Sequence, residues 1–154
     1  MMKPWPVVAI VLVAFCLVAA FIAGCSSSQT ATVPTESSAG SADSNDEVLA
    51  QAYADRAHDL MVEGQGVVVR LLADDTEGAR HQRFIVELSS GQTLLVVHNI
   101  DVAPRVDPLE VGDPVGFKGE YVWNQEGGLI HWTHHDPDGF HQAGWIEHDG
   151  HIYD

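Results

Sequence analysis

Cysteine and positive charge are both scarce in this chain, and each scarcity removes a class of function. Only 2 of the 154 residues are Cys, and both lie within the first 25. They cannot make a disulfide-dense scaffold, and no Cys-x-x-Cys pair is present. Lys and Arg number 7 against 22 Asp and Glu, a formal charge of −15 with His neutral. Proteins that grip long nucleic acid do so through clustered cations, so such a partner is disfavoured. Glycine, at 14 positions, is too sparse for a collagen-like chain, and the one long apolar run excludes a multi-span membrane protein.

That run has a clear grammar. Lys3 precedes 16 uncharged apolar residues, 7–22, the layout of a signal-peptide core behind a weakly basic start. It ends in Ile22-Ala23-Gly24-Cys25, which resembles a bacterial lipobox. The resemblance implies a signal peptide over residues 1–24 and a lipid on Cys25, which becomes the first mature residue. Ser26 at the next position resembles the Gram-negative pattern for outer-membrane sorting. A retained membrane helix over residues 7–24 is the alternative, at the lower edge of spanning length. Cleavage would discard Cys16 and leave 130 residues with formal charge −16 on the periplasmic face of the cell envelope, anchored to the membrane through lipid. No thiol would remain for catalysis.

Residues 25–45 are rich in Ser, Thr, Ala and Gly, which suits a flexible tether. Ser44-Asn45-Asp46-Glu47 has the form of a helix capping box, and Leu49, Ala52, Tyr53, Leu60 and Met61 follow at helical spacing up to Gly64. A helix is therefore predicted over residues 46–63. Beyond it the texture becomes short β-like runs at 67–72, 80–88, 93–98, 115–123 and 129–134, with a hairpin at 145–153 around Asp149-Gly150. Five strands with a long connection between the third and fourth match a mainly β fold. The reading is a small OB-like Greek-key β-barrel over residues 64–154, preceded by one amphipathic helix. A β-sandwich and an SH3-like barrel are the alternatives.

The densest chemistry lies at the C-terminal end. Six of nine His fall in residues 131–151: His131, His134, His135, His141, His148 and His151. Imidazole with carboxylate suits a divalent metal such as Zn, Ni or Cu, and His131, His134, His135, Asp136, His141 and His148 are the candidate ligands. On an extended strand, His131 and His135 would share a face. The spacing matches no tight zinc signature, and a hydrogen-bonded structural cluster or a proton-transfer site explains the same residues. Four of the six basic residues after Cys25 (Arg70, Arg80, Arg83 and Arg105) fall in one stretch. With His81 and His98, which would approach each other across a hairpin, Arg80, Arg83 and Arg105 form a candidate anion-binding face. The opposing reading pairs these arginines with Asp74, Asp75, Glu87 and Asp101. Tyr121, Trp123, Trp132 and Trp145 are candidates for stacking on a ligand.

Arg80-His81-Gln82-Arg83-Phe84, His98-Asn99-Ile100-Asp101, Gly119-Glu120-Tyr121 and His131-Trp132-Thr133-His134-His135-Asp136-Pro137 together resemble a bacterial family catalogued only as a domain of unknown function. The resemblance spans about residues 64–153 and implies no activity. This chain departs from it at Val102, where Leu is expected, and at Phe140, where a basic residue is usual. Three functions follow from the residues: a barrel that binds an unidentified periplasmic ligand, a metal-dependent phosphoester hydrolase using the His cluster, or metal storage or sensing.

Overall fold

The computed structural model describes residues 39–154, with side chains from residue 45 onward. The expected signal peptide, Cys25 and the tether up to residue 38 lie outside the described residues.

Side-chain alternation builds the barrel. β2 (His81–Glu87) and β3 (Thr93–Asn99) bury every second residue: Gln82, Phe84 and Val86 on one, Leu94, Val96 and His98 on the other. This period of two turns one face of each strand to the core. The two pair antiparallel without interruption, from His81↔Asn99 to Glu87↔Thr93. β1 (Leu60–Leu71) is long enough to serve two neighbours. Its first part pairs with β4 (Pro114–Val122), from Leu60↔Tyr121 to Val67↔Pro114, and its last part with β2. A bulge between Val68 and Arg70 lets it bend between them. β5 (Leu129–His131) lies between β3 and β4, parallel to the first and antiparallel to the second.

The ring β1-β2-β3-β5-β4 closes on β1, giving the OB-like Greek-key barrel that the sequence predicts. A two-sheet sandwich is excluded because β1 bonds to both β2 and β4. β6 (Trp145–His148) then pairs with β4 beyond the end of β5, and β7 (His151–Tyr153) returns along β6. Asp149 and Gly150, at φ 50° and 73°, make the left-handed two-residue turn expected there.

The helix, α1 (Ala39–Ala54), differs from its predicted span at both ends. Ser44 is inside it and not at its cap. Its C-terminus closes as a Schellman turn: the Ala57 amide donates to Ala52 O at 2.9 Å and the Arg56 amide to Tyr53 O at 3.2 Å, with Arg56 at φ 53°. Residues 60–63, expected as helix, are strand because they pair with β4. Gly64 is not a helix stop. It is a strand position without a side chain, where Phe117 and Leu49 fill the space a Cβ would take. Leu49 is fully buried and seats the helix on the barrel core beside Phe117. Asp46 fixes it there, accepting from Ser89 Oγ at 2.6 Å and the Ser90 amide at 3.0 Å.

Candidate functional site

β5 ends three residues earlier than predicted. At Trp132 the backbone turns to φ 52°, a left-handed conformation that a bulky side chain rarely adopts. The chain then crosses to β6 over residues 132–144. Thr133 and His134 are buried in this crossing, while His135 is exposed. The expected shared face of His131 and His135 is therefore not formed, because the strand on which it depended stops at His131. Gly144 ties down the far end. Its amide donates to His134 O at 3.0 Å, and a Cβ on it would overlap the carbonyls of Trp132 and Lys118.

Three imidazoles gather around Trp132. Its ring stacks on His131 (centroids 5.0 Å apart, 28°) and on His141 (4.3 Å, 20°), and meets the edge of His134 at 5.9 Å. His131 Nε2 lies 3.0 Å from Glu120 Oε1, its cross-strand partner. His134 Nδ1 lies 2.8 Å from His135 O, and His141 Nδ1 lies 2.7 Å from Gln142 O. A carbonyl only accepts, so both Nδ1 atoms carry a proton, and in the neutral rings both Nε2 atoms present a lone pair. His134 Nε2 is buried and has no hydrogen-bond partner. His141 Nε2 lies 3.9 Å from Asp136 Oδ2, beyond hydrogen-bond range. Asp136 organises its own turn, accepting from the His141 amide at 2.7 Å and the Asp138 amide at 2.9 Å. Those amide bonds, that of His141 foremost, hold its carboxyl below the usual aspartate range. Burial is the main cause that lowers the His134 pKa below the imidazole norm, and the neighbouring His141 adds to it.

His98 sits directly beneath, fully buried between Thr133 Oγ1 (2.9 Å from Nδ1) and Pro104 O (3.0 Å from Nε2). Nε2 must donate to the carbonyl, so Nδ1 accepts the Thr133 hydroxyl proton. Burial lowers its pKa more than these bonds raise it.

The other candidates are dispersed. His81 and His98 do not meet, because the register sets His81 against Asn99 and His98 against Gln82, on opposite faces. Arg80 pairs with Asp101 at 2.7 Å and Arg105 with Asp74 at 2.6 Å, while the Arg83 guanidinium donates twice to Ala73 O. Arg80, Arg83 and Arg105 thus each have a partner within the chain. His148 is held by Asp113 at 2.9 Å, in a separate groove with Pro108 and Glu110. Tyr121 is a core residue whose hydroxyl donates to Gly127 O. Trp123 stacks with Tyr53 under the Arg56 guanidinium, and Trp145 packs over Gly116. The aromatics thus share no common platform. Among the described residues, no three His, Cys, Asp or Glu side chains are already grouped to hold a metal ion. A groove of about 720 Å³ between Gly66, Glu87, Pro114 and Glu147 shares no residue with the imidazole corner.

Sequence reasoning passed over Glu120, Thr133 and Gln82. Gln82 binds both backbone groups of Val106 at 2.9 Å and so fastens the long β3–β4 connection. The period of two in β2 and β3 carries the signal for Gln82 and His98, which fall in phase with Phe84 and Val96. A search of curated proteins finds no match. A family model described as a protein of unknown function (DUF3465) matches residues 32–154, so the helix and the whole barrel are family features and the chain belongs to that family.

Proposed function

We propose that this protein is an envelope lipoprotein, anchored through Cys25, whose barrel is a non-catalytic module that binds a periplasmic ligand at the imidazole corner. The observation that carries this reading is the Trp132 turn. A Trp in the left-handed region costs on the order of 1–3 kcal/mol, and such strain concentrates where a side chain must be presented in one pose. Here it holds a half-exposed indole against two imidazoles, while His98, Thr133 and Gly144 fix the crossing from below.

A phosphoester hydrolase is the weaker reading. Arg80 and Arg83 would have to neutralise an oxyanion, yet both are engaged with Asp101 and Ala73 O. The histidines also lie outside the 720 Å³ groove.

Two measurements test the proposal. Fatty-acid labelling should mark the wild type and not Cys25→Ala, and the variant should leave the membrane fraction. Tryptophan fluorescence of the full chain in detergent should respond to a member of a panel of cell-wall oligosaccharides, short peptides and divalent ions. Trp132→Phe should abolish that response. A response that persists in Trp132→Phe places the binding elsewhere and defeats the reading.

A further inference from the structure

The imidazole corner contains two Nε2 atoms without a hydrogen-bond partner and a carboxylate held by two backbone amides. His134 Nε2 is the one buried side-chain nitrogen or oxygen without a partner among the described residues. His134 is 5 % exposed, and the His141 and Asp136 side chains are 8 % and 7 % exposed. With neutral rings, the His141 Nε2 lone pair lies 3.9 Å from Asp136 Oδ2, acceptor facing acceptor. Each neutral ring's one proton is committed at Nδ1 to a carbonyl, so Nε2 is left without a donor role. Burying such groups without compensation is costly, so the arrangement calls for a cation.

Building on the reading of this corner as the binding site, we propose that its ligand is a divalent transition-metal ion of the Zn, Ni or Cu class. The ligands are His134 Nε2, His141 Nε2 and the Asp136 carboxylate, and a fourth position is open to water. The ring geometry fits. Two imidazoles bound through Nε2 to one tetrahedral ion have centroids about 5 Å apart. Those of His134 and His141 are 5.0 Å apart, with rings at 89°. The Nδ1–H to carbonyl bonds are the outer-shell contacts that fix a ligating imidazole in the correct tautomer. Ligand atoms on one such ion lie about 3.3 Å apart, so the Asp136–His141 pair must close by roughly half an ångström. The exposed turn of residues 137–140 can supply that movement without disturbing β5 or β6. His131 is not a ligand, since its Nε2 is bound to Glu120, and neither are the exposed His135 and His151. The mixed imidazole and carboxylate set, with no thiolate, favours Zn, Ni or Cu over the hard cations Mg and Ca.

The test uses the untagged full chain in detergent, dialysed against Zn or Ni and assayed for bound metal. The wild type should retain one ion per chain. His134→Ala and His141→Ala should each weaken binding by more than about tenfold. Asp136→Asn should weaken it less, and His135→Ala and His151→Ala should leave it unchanged. The wild type itself supplies a readout that does not depend on variants folding: the imidazole Nε2 resonances of His134 and His141 should shift on adding Zn, while those of His98 and His148 stay in place. Retention lost equally in His135→Ala, or Nε2 signals of His134 and His141 that do not move, overturns the assignment. If no ion binds but a sugar or peptide quenches Trp132, the metal assignment fails and the binding corner stands. Silence of Trp132 toward every probe removes both.

Discussion

Replacing His98 with Ala should remove the support on which the imidazole corner rests, and the cost can be worked from its two bonds. His98 donates from Nε2 to Pro104 O and accepts the Thr133 hydroxyl at Nδ1. Loss of these bonds strands a carbonyl and a hydroxyl in the interior, at roughly 1–3 kcal/mol apiece before any water enters the cavity. A net loss of about 3–5 kcal/mol at pH 7.5 follows, read as a fall in the urea midpoint at unchanged slope. Acid supplies a second, independent reading. The folded pKa of His98 is lowered from 6.5, chiefly by burial. Below pH 6.5 the unfolded chain therefore takes up a proton that the folded chain refuses. The stability tied to the neutral ring is complete above 6.5 and declines toward the folded pKa by at most about 1.4 kcal/mol per pH unit. His134, lowered mainly by burial as well, declines in the same window. The carboxylates of Asp101, Asp113 and Asp136, all lowered, lose their contribution only below 3.8, so they leave this window to the histidines. Between pH 6.5 and 5.5 the wild type should lose stability with a steeper slope than His98→Ala. A loss under about 1.5 kcal/mol at pH 7.5, or identical acid slopes, would refute the reasoning.

Gly144→Ala should cost about 2–4 kcal/mol, because its Cβ has no room against the Trp132 and Lys118 carbonyls. It should also weaken the near-UV circular dichroism of the Trp132 stack. Gln82→Leu leaves the buried amide and carbonyl of Val106 without partners and should cost about 2–4 kcal/mol, measured by thermal unfolding. Asp46→Ala should cost about 1–2 kcal/mol and act locally. Amide exchange should accelerate over residues 46–54 while β2 and β3 keep their protection.

The barrel was legible because its central strands write their pairing into local alternation. Phe84, Val86, Leu94 and Val96 declare an inner face, and Gly-containing turns divide the runs. Features set by distant partners were not legible. Leu60 and Met61 continue a helical stripe in sequence, yet their backbone is taken by Tyr121 and Glu120 on β4. Neither Arg56 nor Trp132 is a residue that announces a left-handed backbone, so the early helix end and the early end of β5 carried no local mark. That second turn decided the site, since it sent His134 inward and left His135 outside. Clustered histidines drew attention to this segment but could not say which imidazoles would converge. The arginine pairings were not legible for a similar reason: Asp74 and Asp101 sit across loops whose closure only the fold determines.

The β1–β4 seam also carries the longest chain closure of the barrel. The β2–β3 ladder joins neighbours in sequence, whereas Leu60 meets Tyr121 across about 60 residues, a closure that costs far more chain entropy. Without β4 the barrel would have open edges on β1 and on β5. β4 also bonds to both β5 and β6. One strand therefore closes the barrel and holds both ends of the crossing that carries the imidazole corner.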